Sequence, residues 1–509
     1  MNDIFVSVNR FFDFIVPIAD FLWEFPTKEA AYSAIPVLGK LSFVVLLLLG
    51  TGMYFCVKTR LVQVRRFTVG LGIMLNKKAS SAGISPMAAF LLSSAMRIGP
   101  GNIMGVTGAI SVGGPGAMFW MWVSAFLGMA TAFAEAVLAQ LFKQKAHGSY
   151  VGGMPFYGQF LLGKRRFAGV VLASIFIVYA LFSIPGQSFH LFTALGAVAE
   201  TVAGQHFDRS SEVYWGIAGL LVVGVTITVV GGLKSVTRVT DLVVPIMAGI
   251  YSLLVLIIIV INYDLLPYFF KTVLSGAFAP QALFGGAFGV ALAQGIKRGL
   301  MSNEAGQGTI TIAAAVSEND HPCEQGFIQA IGVFLDTMII CSMTGFMIVM
   351  AHLWTGDAAV GWESIKDAKL TVFLTSVRHL VPNVALHDTV TVILASCYAM
   401  FAFTTLIGLI LFAEIAANQI SQHRIFIRVI RLSGALLFVP FGALAVLAGL
   451  ELGNLWAISD LVNIMVVFAN MPLLFIGSRY VFLCLEHYHR SGGARFVSRE
   501  IGLETEVWK

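Results

Sequence analysis

Met96–Gly116 reads M-R-I-G-P-G-N-I-M-G-V-T-G-A-I-S-V-G-G-P-G and lies inside an apolar run long enough to cross a bilayer. Gly99, Pro100, Gly101 and Asn102 fall near the middle of that run. Proline removes a backbone donor and clashes with the preceding helical turn. Glycine on either side makes the helical state entropically expensive. The stretch therefore predicts a helix broken at membrane depth. Amides and carbonyls freed there are tolerated only if protein buries them or they line a polar cavity. A kink that serves packing alone is the plainer alternative; a second break later in the chain argues against it.

The rest of the chain agrees with a membrane setting. Its 509 residues are 58% hydrophobic and 12% charged, with mean hydropathy +0.85. This is the composition of an all-α polytopic membrane protein, not of a soluble enzyme. The five cysteines (Cys56, Cys323, Cys341, Cys397, Cys484) form no C-x-x-C pair, so they indicate neither a zinc site nor a disulfide framework and read as small apolar filler. The net charge of +5 reflects basic loops between apolar runs, and nucleic acid is not an expected partner. Met1-Asn2-Asp3 lacks a basic n-region, and Arg10 and Asp13 interrupt the first apolar stretch, so no cleavable signal peptide is expected.

Residues 1–34 read as an amphipathic segment in the bilayer interface, because Arg10, Asp13, Asp20 and Glu24 interrupt its apolar residues. A first span is expected over 35–57, the broken helix near 86–112, and further spans near 117–142, 168–198, 214–232, 242–262, 281–312, 327–351, 386–417, 432–449 and 456–484, about eleven in all. Loops 58–85 and 143–167, segment 418–431 and the tail 485–509 carry most of the Lys and Arg. With an odd number of spans all four lie on one side. That side is the cytoplasm, with the N-terminus outside, in a multi-pass protein of the inner (plasma) membrane.

The run 281–312 carries glycines at 285, 286, 289, 295, 299, 306 and 308, more than a uniform membrane helix needs. It begins five spans after the first break. Two five-helix sets, 86–262 and 281–484, each opening on a glycine-broken helix, imply inverted repeats, the organisation of secondary transporters. For single glycines, close helix packing is the alternative. Broken helices offer amide ends to a carboxylate and carbonyl ends to a cation. A small zwitterion plus a hard cation such as sodium fits that pair. Asn102 supplies an amide oxygen, and Thr404 and Thr405 supply hydroxyls, although threonines in membrane helices also bond their own backbone. Gln187, beside Pro185-Gly186 in the span 168–198, is a buried amide that needs a ligand or a neighbouring helix. His190 reads as a helix–helix contact. Of the charges inside spans, Arg97, Glu135 and Glu304 are expected in gate or structural ion pairs, with Lys297, Arg298, Asp336 and Glu414 as further candidates, most toward cytoplasmic ends.

R-I-G-P-G-N-I-M-G-V-T-G-A-I (97–110), G-G-P-G-A-M-F-W-M-W-V-S-A-F-L-G-M-A-T-A-F-A-E-A-V-L-A (113–139) and K-R-G-L-M-S-N-E-A-G-Q-G-T (297–309) resemble the alanine or glycine:cation symporter family. F-L-D-T-M-I-I-C (334–341) and V-G-G-M-P-F-Y (151–157) are similar too. The resemblance implies a leucine-transporter-type 5+5 inverted repeat with two broken helices, in the amino acid–polyamine–organocation superfamily. It also implies sodium-coupled symport of a small neutral, alanine-like amino acid, with sodium as coupling ion and no other cofactor. Gln187 aligns with a family glutamine that lines the substrate site. Phe288 and Gly289 fall near the family's second-break contacts. Pro100 stands where the family has threonine, Leu409 where it often has tryptophan, and Met154-Pro155-Phe156-Tyr157 where Met-Tyr-Tyr is usual. A transporter of the same fold driven by protons or working as an exchanger is the alternative, with Arg97 in place of a sodium. A channel or a membrane-embedded enzyme fits less well, since no ring of charges and no catalytic constellation appears.

Overall fold

A computed structural model describes residues 14–35, 38–75, 83–209, 211–278, 287–351, 369–447 and 453–509. In a bilayer every backbone polar group must be satisfied within the chain, so the apolar runs become helices. They are, in order, α1 (Ile15–Glu24), α2 (Phe43–Lys58), α3 (Phe67–Leu75), α4 (Pro86–Arg97), α5 (Met104–Gly113), α6 (Gly116–Leu141), α7 (Met154–Leu161), α8 (Arg166–Ala203), α9 (Glu212–Val230), α10 (Leu233–Ile261), α11 (Leu266–Phe278), α12 (Ala287–Asn303), α13 (Ile310–Ala315), α14 (Pro322–Met350), α15 (Lys369–Leu380), α16 (His387–Ala417), α17 (Arg424–Leu447) and α18 (Gly453–Ser491). A hairpin of β1 (Gln144–Ala146) and β2 (Ser149–Val151) precedes α7.

Two crossings are made in halves, α4 with α5 and α12 with α13. The first is followed by α6, α8, α9 and α10, the second by α14, α16, α17 and α18. Each set therefore runs an odd number of crossings, and the second is inverted relative to the first. Eight of the described helices are long and apolar enough to cross unaided. Burial separates centre from rim. The apolar cores of α6 and α16 are 83% buried, whereas that of α10 is 28% buried. In α6 the small residues of G-M-A-T-A-F-A-E-A let neighbouring backbones approach, the usual basis of packing between helices in lipid.

The structure adds to the sequence reading at both ends of the chain and in α17. Helix α1, read as interfacial, seats Trp23 on α18, where the indole Nε1 donates to the carbonyl of Asp460 (3.1 Å), while Phe14 and Phe21 stay exposed. Arg424–Arg431, read as loop, forms the first turns of α17, because charges at a helix end still reach water. Helix α18 runs through 485–491 before the tail begins, and the tail folds back. Phe496 donates its amide to Asp320, and Trp508 Nε1 donates to the carbonyl of Gln140 (2.7 Å).

Candidate substrate and cation site

The first break is short. Helix α4 ends at Arg97, Gly99 is extended, and Pro100–Asn102 makes a single turn before α5. Asn102 fastens it: its Oδ1 accepts the amide of Gly99 (2.9 Å), one of the donors the break exposes. The second break is Glu304–Thr309, between α12 and α13. It needs left-handed backbone at Glu304 (φ 58°), Gly306 (φ 95°) and Gly308 (φ 76°), which the two glycines adopt without strain. The break therefore lies at E-A-G-Q-G-T and not at the head of the run. Gly289 is some four turns earlier and packs against Lys40. Phe288 is in the first turn of α12, and its side chain lies outside the described residues.

A cavity of about 70 Å³ lies between the breaks. One water needs roughly 10–15 Å³ of such space, so it has room for a few waters or a small molecule. Gly99, Pro100 and Gly101 form one wall and Glu304 and Gln307 another. Tyr179, Ser183 and Gln187 enter from α8, and Thr405 and Leu409 from α16. Met96, Met301 and Leu409 make the apolar side. Gln187 Oε1 has no hydrogen-bond partner within the described protein. Thus Gly99, Pro100, Gly101, Gln187, Leu409 and Thr405 come together, and Gly289 does not join them. Ser459 and Asn463 of α18 also line the cavity; nothing in their spacing marked them in the sequence.

The oxygens expected around a cation fall into two clusters. In one, the Thr405 hydroxyl donates to the carbonyls of Phe401 (2.9 Å) and Ala95 (3.1 Å), tying α16 to the last turn of α4. Thr404 donates to Phe401 as well (3.1 Å). In the other, Asn102 Nδ2 donates to Asp336 Oδ1 (2.6 Å), and Ser302 and Thr337 hydroxyls donate to Oδ2 (2.9 and 2.7 Å). Gly99 joins the two, since its amide bonds Asn102 and a Cβ placed on it would lie 2.7 Å from Thr405 Oγ1. Asp336 sits in a π-helical stretch, Phe334–Cys341, of the kind often found at functional sites. A carboxylate inside a span was the signal for it; Ser302 carried none.

Arg97, Glu135 and Glu304 do not form the expected ion pairs among the described residues. The second break instead supplies an amide and a hydroxyl to one oxygen of each carboxylate, and Glu135 Oε2 has no partner in the described protein. Glu135 Oε1 accepts the amide of Gly308 (2.9 Å) and Nδ2 of Asn470 (2.6 Å), and Glu304 Oε2 accepts from Thr309 (2.7 Å). Arg97 donates from Nε to the carbonyl of Asn303 (3.1 Å), so the last residue of α4 holds the last residue of α12. Its Nη1 and Nη2 have no partner in the described protein. Lys297 pairs with Asp460 (3.0 Å) under the Trp23 ring, in the half of α12 before the break and away from the basic loops. Glu414 pairs with Arg431, and His190 accepts or donates to Tyr398 OH (2.8 Å) as a helix–helix contact.

Comparison with known proteins agrees with this geometry. The family model described as "Sodium:alanine symporter family" matches residues 29–498. The amino-acid carrier protein AlsT of Bacillus subtilis is 31% identical over 94% of this chain and 93% of its own. The sodium/alanine symporter AgcS of Methanococcus maripaludis is 33% identical over 83% and 88%. Among solved structures, MhsT in complex with L-phenylalanine is similar with a TM-score of 0.53 at 14% identity, over 84% of this chain and 95% of that one, a likeness of fold. The chain belongs to the sodium:alanine symporter family, and it is a multi-pass sodium-coupled amino acid transporter, not an enzyme.

Proposed function

We propose that this chain carries a small neutral amino acid, alanine or one somewhat larger, into the cell with sodium by alternating access. The observation that carries the reading is the cavity of about 70 Å³ shared by both breaks. Within Gly99–Asn102 the Gly99 and Asn102 amides are bonded inside the break and Pro100 has none, so the Gly101 amide is the donor left for a carboxylate. The unpartnered Gln187 Oε1 suits an ammonium, and Met96, Met301 and Leu409 suit a short apolar side chain. Sodium takes oxygen from Thr404, Thr405 and the Ala95 and Phe401 carbonyls, with Asn102 acting from the neighbouring cluster. The basic loops support an orientation with the N-terminus outside and the C-terminus in the cytoplasm of the inner membrane.

A second reading, proton coupling or exchange, is favoured by the buried Arg97 guanidinium, whose two terminal nitrogens lack partners beside the cavity. Uptake of labelled alanine into proteoliposomes, with sodium replaced by choline at two pH values, separates them. Sodium-dependent uptake that ignores the pH gradient is expected. Uptake that persists in choline and follows the proton gradient selects the second reading.

A further inference from the structure

On the side of the basic loops, a cleft of about 330 Å³ opens away from the transport cavity. The turn between α9 and α10 (Gly231–Lys234), the end of α16, the first turns of α17 and the β-hairpin enclose it. Among the described residues its only lining carboxylate is Glu414, and Arg431 neutralises it through Nε (2.8 Å) and Nη2 (2.5 Å). Arg431 also donates to the carbonyl of Val230 (2.6 Å). The pair packs on Gly232, where a Cβ would lie 2.8 Å from Arg431 Nη2. That leaves Lys234, Arg424 and Arg428 facing the cleft with no carboxylate at ion-pair distance among the described residues. Arg424 and Arg428 are one helical turn apart on one face of α17, whose positive end opens here.

We infer that this cleft seats the anionic headgroup of a membrane lipid. Three uncompensated cations around a built cavity match a phosphodiester. The apolar residues beside it select a lipid over a free anion. Ile227 and Val230 on α9 and Ile425 and Val429 on α17 are exposed, and the two helices are mostly unburied. Acyl chains would lie along them while the phosphate meets the arginines at the helix ends. The cleft shares no lining residue with the substrate and cation site, so the inference does not depend on which amino acid is carried.

The purified full chain is titrated in neutral-lipid micelles with phosphatidylglycerol, and retained lipid is counted by native mass spectrometry. Each cation near an anionic surface is worth roughly fivefold in affinity. The paired variant Arg424→Gln/Arg428→Gln is therefore expected to lose about twenty- to thirtyfold. Arg165→Gln/Arg166→Gln, an equal loss of exposed charge at another helix end on the same side, is expected to retain native affinity, and inorganic phosphate is expected not to displace the lipid. Equal loss in both variants, retention of phosphatidylcholine as strongly as phosphatidylglycerol, or displacement by inorganic phosphate would overturn the assignment.

Discussion

The hydroxyl of Thr405 lies 3.1 Å from the main-chain carbonyl of Ala95, across the gap between α16 and the last turn of α4. One contact thus couples an unbroken helix to the half-helix that ends at the first break. Thr405→Val keeps the volume and removes the oxygen. The variant is expected to fold and to need severalfold more sodium for half-maximal uptake. Unchanged sodium dependence would remove Thr405 from the cation site.

Asp336 accepts from Asn102, Ser302 and Thr337 in a fully buried cluster. Hydrogen bonds to a charged group are worth about 1.5–3 kcal/mol each, and asparagine keeps one acceptor oxygen where aspartate has two. Asp336→Asn is expected to lower the melting temperature and cut uptake at least about tenfold. A variant that melts and transports like the native chain would sink the idea that the carboxylate joins the two breaks.

Pro100 offers no amide to a carboxylate, and Leu409 leaves the opposite wall open. Glycine relies almost wholly on its polar ends, whereas each buried methylene adds about 0.8 kcal/mol, roughly fourfold. Alanine or a somewhat larger neutral amino acid is expected to compete better than glycine, and Leu409→Trp to shift preference back to small substrates. Competition uptake with glycine, alanine, serine, valine and methionine decides it; glycine as the best competitor of the native chain refutes the pocket argument.

The tail docks through a pair of rings. His321 Nδ1 accepts the amide of Cys323 (3.1 Å), so Nε2 carries the proton toward His487 Nδ1 (3.1 Å), and His487 Nε2 meets Glu500 (2.5 Å). Burial, with the neighbouring His487, pushes the pKa of His321 from the ordinary 6.5 to about 3. The unfolded chain then binds the proton more readily, so this contribution to stability is complete above pH 6.5 and is lost as pH falls toward 3. Limited proteolysis of the tail is expected to accelerate between these limits. His321→Phe, which cannot titrate, is expected to flatten the change; an unaltered pH profile in that variant would assign it elsewhere.

All five native cysteines are buried, so background labelling is low. A cysteine at the exposed Arg165, in the basic loop 143–167, should resist an impermeant maleimide applied to intact cells. Ready labelling would reverse the orientation.

The sequence by itself determined the membrane class, the five-plus-five arrangement and the first break. Each is a local property: apolar length, the count of spans between breaks, and a proline between two glycines that no helix accommodates cheaply. It also marked Gln187 and Thr405, because polar groups inside apolar runs are conspicuous. Tertiary structure decided the second break, since Gly289, Gly295 and Gly299 look no different in sequence from Gly306 and Gly308. Gly295 and Gly299 serve close packing against α6, whereas Gly306 and Gly308 supply positive φ. It also decided that Asn102 meets Asp336 and not Thr405, a partnership across 234 positions that depends on how helices pack. Arg97, Glu135 and Glu304 were misjudged for the same reason, whereas Lys297 and Glu414 do form ion pairs. Whether Glu135 finds a cation or an amide depends on which backbone donors the fold leaves free, and those are set only when both breaks have formed.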